Sequence, residues 1–259
     1  MCRKLGLVTM CLCLAFGLTS SAIYAETVTY LASDFSGSGY KGVMDSTAPL
    51  NGQAWSDDNI SQPFVWLSYN DNLRQLDAVK VKDIAGITFY TNKPTAGSGQ
   101  NDFFLNLYTK TDGNDDDASW YGRRITLDPA WAYNVDAPAD TWNQWTTEAG
   151  ATNELGAYDA NTNLGFVGTP TFADFLAGEV DWSSYDHSGF TETIDYRDEE
   201  ILGLTVSAGN PWWGDFDGSV DAVQVDFVDG SSVTYDLQAV PLPPSVAMLG
   251  LGLVGAGGF

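Results

Sequence analysis

The chain has 259 residues, with 11 basic against 34 acidic side chains and a formal net charge of −23. That balance excludes nucleic acid as a partner, because phosphates are gripped by Lys and Arg, and it disfavours anionic membrane surfaces. Nine Trp, twelve Tyr and thirteen Phe exclude a disordered chain, which lacks such residues, and point to one folded domain with many polar loops.

Residues 1–25 read as a secretory signal peptide. Arg3 and Lys4 supply the basic start, Leu5 to Leu18 the apolar run, and Ala22-Ile-Tyr-Ala25 the small residues of a cleavage site. Cleavage after Ala25 makes Glu26 the mature start. The apolar run is shorter than the roughly 20 residues of a spanning helix. All three cysteines, Cys2, Cys11 and Cys13, fall in this segment. The body, residues 26–239, is therefore expected to hold itself together by core burial without disulfides.

Along the body, apolar residues alternate at strand spacing more often than they repeat at helical spacing. Strands are predicted at Glu26–Ala32, Pro63–Tyr69, Ala85–Thr91, Asp102–Thr109, Tyr121–Leu127 and Trp142–Thr147. Thr171 to Gly178 is the one predicted helix: Phe172, Phe175 and Leu176 fall at i, i+3 and i+4, and Gly178 can end it. Ile201–Ser207, Ser219–Phe227 and Ser232–Leu237 close the domain. In the last hairpin, Val220, Ala222 and Gln224 alternate against Asp221, Val223 and Val225, and Asp229-Gly230 marks the turn. Many short strands and one short helix predict a mainly β fold, an antiparallel β-sandwich.

Two acidic segments offer hard oxygen ligands of the kind calcium takes. One is the loop 112–117, with Asp112, Asp115, Asp116 and Asp117; its plain alternative is a solvated turn. The other is Asp215, Asp217 and Asp221. Asp221 is predicted on a strand, where its carboxylate can instead bond nearby loop backbone. Glu179 and Asp181 resemble the start of a retaining glucanase signature, but Ser183 and Ser184 stand where its third acid belongs, so the two carboxyls of that reaction are not assembled. His187 is the sole histidine and lacks the partners of a zinc site or a catalytic triad.

The aromatic residues carry a stronger argument. Trp120, Tyr121, Trp212 and Trp213 lie among Gly, Asp and Pro, where exposed rings can stack on the C–H faces of sugars. The alternative is core packing, the usual fate of tryptophan. Trp142 and Trp145 are expected in the core.

The C-terminal residues Val240, Pro241, Leu242 and Pro243 open an uncharged, glycine-rich run to Phe259. This segment, 240–259, resembles the sorting signal of the PEP-CTERM family, in the variant that begins Val-Pro-Leu-Pro. The family signal normally ends in a basic cluster, and none precedes Phe259. The resemblance implies an exosortase-type sorting protease as partner, only transient contact with the membrane, and delivery to the cell surface or extracellular matrix of a Gram-negative-type bacterium. Asp140–Trp145, Thr171–Leu176, Ile201–Gly209 and Gly218–Val223, in that order, resemble the jelly-roll body common among such proteins. That body is similar to galactose-binding and lectin-like jelly rolls. The function it implies is a non-catalytic matrix protein that binds exopolysaccharide with the help of calcium. A purely structural acidic surface protein without a small ligand is the alternative, and a glycan-active hydrolase the weakest one.

Overall fold

The computed structural model describes residues 25–35, 39–58, 64–67, 79–94, 102–110, 123–129, 138–160, 170–185, 193–208 and 217–241. Fourteen strands run through them in chain order: β1 (Ala25–Leu31), β2 (Tyr40–Met44), β3 (Gln53–Asp58), β4 (Phe64–Trp66), β5 (Ile84–Asn92), β6 (Phe103–Lys110), β7 (Arg123–Asp128), β8 (Trp142–Thr146), β9 (Gly156–Asp159), β10 (Glu179–Asp181), β11 (Thr193–Asp195), β12 (Glu200–Ala208), β13 (Asp217–Phe227) and β14 (Ser232–Gln238). They form a seven-stranded sheet of β1, β2, β3, β5, β8, β13 and β14, a five-stranded sheet in the order β4-β12-β6-β7-β9, and the small β10–β11 hairpin.

The two large sheets face each other as a β-sandwich because each carries an inward apolar row at every second residue. Leu105 and Leu107 on β6 meet Leu204 and Val206 on β12 and Ile125 and Leu127 on β7. Ile87, Phe89, Val220, Tyr235 and Leu237 answer from the other sheet, and all are fully buried. One pairing departs from the antiparallel expectation. β1 lies parallel to β14, from Ala25 opposite Ser232 to Leu31 opposite Gln238. No short turn joins the first strand to the last, so nothing imposes the antiparallel direction on them.

β13 organises its sheet. Along one side it pairs with β3 through Asp217–Val220 and then with β14 through Val223–Asp226; along the other it pairs with β5. Between those halves Ala222 takes a positive φ of 54°, and the register slips between Asp221 and Gln224. This bulge corrects the alternation expected for the last hairpin. Val220, Val223 and Val225 all point into the core, because the extra residue turns the second half of the strand over. The turn at Asp229-Gly230 is as predicted, with Gly230 at φ 87° and the Asp229 carboxylate accepting from the Ser231 N–H at 2.8 Å.

The predicted helix is α1 (Phe172–Ala177), opened by a capping box in which Asp174 accepts the Thr171 N–H at 2.8 Å. Phe175 buries its ring against Tyr196, with centroids 4.6 Å apart.

The end of the body is fastened to β2 and β3. The Gln53 side-chain oxygen accepts the N–H groups of Ala239 and Val240 at 3.0 and 2.8 Å. Ala239 crosses directly over Gly42, where a Cβ would lie 2.3 Å from the Ala239 Cα. Gly42→Ala is therefore expected to lower stability by about 1–3 kcal/mol, the usual cost of overpacking, read as a lower urea midpoint at unchanged slope. A neutral result would mean that Ala239 does not rest on β2.

Candidate functional site

The five-stranded sheet presents a polar row on the face turned away from the core. Thr205 on β12, Asn106 on β6, Thr126 on β7 and Tyr158 on β9 stand in register across four strands. Asn106 sits at the centre. Its Nδ2 donates to Thr205 Oγ1 and Ser207 Oγ, each at 3.3 Å, and its Oδ1 accepts from Thr126 Oγ1 at 2.7 Å. All four of these side chains are buried, so this face is not an ordinary wetted sheet surface. Hydroxyl and amide pairs of this kind tie adjacent strands together.

Half-buried rings flank the row. Phe104 and Tyr108 stand on either side of Asn106 on β6, with Gly203 directly across from Tyr108 on β12 and Arg124 across from it on β7. Burial, then the neighbouring Asp128, pushes the Tyr158 phenol well above its ordinary range, so it stays neutral. The Arg124 Nε, two residues before Thr126, is buried and has no hydrogen-bond partner. The face thus sets a row of mutually bonded amide and hydroxyl groups between two half-buried rings, with the Arg124 Nε as its one unpartnered donor among the described residues.

A second polar cluster lies behind the seven-stranded sheet, under the loop from Asp45 to Gly52. Asp221 and Asp236 are both fully buried there. Asp221 accepts the N–H groups of Leu50 at 2.8 Å and Ala222 at 2.7 Å. Asp236 Oδ2 accepts Asn51 Nδ2 and Gln238 Nε2, each at 2.6 Å. Burial pushes the Asp221 carboxyl up to about 7, with the charge of Asp236 adding to it and the backbone donors opposing it.

Of the expected calcium ligands, Asp221 does what its strand position suggested: its carboxylate bonds loop backbone. Asp217 is exposed at the start of β13, and Asp221 takes its partners from the 45–52 loop and from its own bulge. Among the described residues no group of three or more His, Cys, Asp or Glu is placed to hold a metal. Asp112, Asp115, Asp116, Asp117, Asp215, Trp120, Tyr121, Trp212, Trp213, His187, Leu242 and Pro243 lie outside the described residues. The strand ends next to the two aromatic pairs are far apart in the sheet. Lys110, before Trp120-Tyr121, pairs with Glu200 at one end, and Ala208, before Trp212-Trp213, pairs with Phe103 at the other.

Other expectations resolve clearly. Trp145 is core, with Nε1 donating to Thr91 Oγ1 at 2.7 Å. Trp142 is not core: it is half-buried and donates to Asp45 Oδ2 at 3.0 Å, because it begins the sheet-edge strand β8. Trp182 is buried as well and donates to Tyr196 Oη at 2.9 Å. Glu179 and Asp181 share the exposed face of β10. Asp181 caps the following 3-10 turn by accepting Ser183 N–H and Oγ and Ser184 Oγ, and the Ser183 hydroxyl holds its carboxyl below the ordinary range. Ala25 is the first residue of β1 and is exposed, as is Val240 at 51%.

Sequence reasoning missed the Asn106 row and the Asp236–Gln238 pair. The one available signal was a polar residue set between apolar ones, Asn106 in Phe104-Leu-Asn-Leu-Tyr108 and Asp236 and Gln238 in Tyr235-Asp-Leu-Gln238. Comparison with protein-family models, with curated proteins and with solved structures returns no match.

Proposed function

We propose that this is an exported, non-catalytic protein of the cell surface or extracellular matrix, and that its β-sandwich binds extracellular polysaccharide. The observation that carries the reading is the outer face of the five-stranded sheet. Its buried amide–hydroxyl row lies between Phe104 and Tyr108, with Arg124 Nε as a spare donor. A sugar ring can lay its C–H face on Tyr108 above Gly203 while its hydroxyls meet donors on β6 and β7. Export and sorting rest on the signal-like start and the Val240–Pro243 tail, and the exosortase-type protease is the partner that tail calls for. Trp212, Trp213, Trp120 and Tyr121 remain candidates for extending the contact, and calcium at Asp112–Asp117 for assisting it.

The test is retention of the mature chain on immobilised extracellular polysaccharide from the producing organism, with calcium and with chelator. Tyr108→Ala is expected to weaken retention at least tenfold while leaving the fold intact by circular dichroism. Unchanged retention in that variant would remove the sheet face from the reading. The competing reading, a purely structural acidic protein, is favoured by one observation: Asn106 already spends both ends of its amide on neighbouring strands. Absence of retention in every condition would select it.

A further inference from the structure

The loop from Asp45 to Gly52 folds back over the outside of the seven-stranded sheet. Asn51 and Gly52 both adopt left-handed backbone, at φ 54° and 66°, and this reversal brings the Leu50 N–H onto Asp221 and the Asn51 amide onto Asp236. Two carboxylates are thereby sealed from solvent on adjacent strands. Neither forms an ion pair among the described residues. Burying unpaired charge is costly: such a carboxyl either takes up a proton or is given a counter-charge.

Unused oxygens lie in the same place. Asp236 Oδ1 and Gln238 Oε1 are buried and have no hydrogen-bond partner, and Gln238 is only 1% exposed. Gln238 points its Nε2 at Asp236 Oδ2, which fixes its carbonyl oxygen as an acceptor with nothing to accept. An empty oxygen on the Asp236 carboxylate and an empty amide oxygen on Gln238, with the Asp221 carboxyl on the adjacent strand, are a set of oxygens that a cation can bridge.

We infer that Asp221, Asp236 and Gln238 hold a hard divalent cation of the calcium class beneath the 45–52 loop. The ligand set is all oxygen, without His or Cys, which selects calcium-like over transition-metal ions. The set supplies two carboxylates and one amide oxygen, and calcium sites regularly complete their six to eight ligands with backbone carbonyls and water. The ion ties β13, β14 and the loop together next to the Gln53 clamp, where the body ends. This site uses none of the residues of the acidic segment 112–117 and does not depend on whether the sheet face binds sugar.

The test uses the full mature chain, chelator-treated and titrated with terbium. Trp55 donates to the Gln238 carbonyl at 3.0 Å, so an ion held there is close enough for indole-sensitised terbium emission. Saturable emission that excess calcium displaces is expected, together with a rise of several degrees in melting temperature on adding calcium. Asp236→Asn is expected to weaken terbium binding at least tenfold. A variant with Asp112, Asp115, Asp116, Asp117, Asp215 and Asp217 all changed to Asn is expected to keep the emission. Should Asp236→Asn fail to fold, Gln238→Glu serves instead: a third carboxylate lowers stability in chelator and tightens terbium binding. No emission from the wild type, or emission that survives Asp236→Asn and disappears in the six-Asn variant, overturns the site. Polysaccharide retention is scored separately, so loss of one result leaves the other standing.

Discussion

Replacing Asp159 with alanine is expected to cost about 3–5 kcal/mol of stability, the price of breaking a buried ion pair by removing one partner. Asp159 ends β9 on the core side and is fully buried. The Arg123 Nε lies 3.7 Å from its Oδ2, and Arg123 is itself only 7% exposed. The same Oδ2 accepts the Tyr196 hydroxyl at 2.9 Å, which in turn accepts Trp182 Nε1 at 2.9 Å. Burial, then the Asp159 charge, holds the Tyr196 phenol far above its ordinary range, so it remains a donor at every working pH. This chain of contacts fastens α1 and the β10–β11 hairpin to the edge of the five-stranded sheet. Without the carboxylate, a guanidinium stays buried with no counter-charge from β9, and a phenol loses its acceptor. Asp159→Asn keeps an acceptor and is expected to cost less. Urea unfolding of the three proteins checks this. Equal midpoints for wild type and Asp159→Ala would mean that Arg123 finds another partner at no cost.

Trp55→Ala is expected to be as damaging, about 3–5 kcal/mol from the lost ring and the cavity it leaves. The indole is fully buried on β3, between Phe35 at 5.4 Å and Tyr40 at 5.7 Å. Its Nε1 reaches across the sheet to the Gln238 carbonyl, so one residue packs the core and also secures the last strand. Trp55→Phe separates these roles. It keeps most of the ring and strands the carbonyl, for an expected loss of about 1–3 kcal/mol. Thermal unfolding reads both variants, at about 2–4 °C per kcal/mol for a domain of this size. A Trp55→Ala protein melting within a degree or two of wild type would show that neighbouring side chains refill the space.

The strands legible in the sequence were those whose side chains announce both faces. Ile84–Asn92, Phe103–Lys110 and Glu200–Ala208 are rich in β-branched and aromatic residues and run eight or nine residues each. The helix was legible because its apolar spacing, capping box and terminal glycine agree. Gly156–Asp159, Glu179–Asp181 and Thr193–Asp195 were missed: three or four residues are too few to establish a period. β3 was missed for another reason. Gln53 and Asp57 are buried in it, so its polarity contradicts its burial. The bulge at Ala222 was hidden because alanine carries no turn signature, and period-two reasoning then places Val223 and Val225 on the wrong face. The polar row and the carboxylate pair were hidden more deeply. Asn106 meets Thr126 and Thr205, and Asp221 lies near Asp236, only once strand register is known. Composition directed attention to tryptophans; Trp145 packs in the core as its place in the sequence suggested, and Trp182 is buried as well.

The parallel pairing of β1 with β14 bears on how the molecule carries load. The start of β1 and the end of β14 lie at opposite ends of one ribbon. A pull between them acts along the strands, so the bonds linking the ribbon are strained together in shear; a hairpin pulled at its open end parts one bond at a time. Resistance to such a pull is governed by the unfolding barrier and not by equilibrium stability. A body held at the end of β14 and dragged from the start of β1 therefore meets the force with a shear-loaded seam, at a place that sheet-edge exposure alone marks as weak.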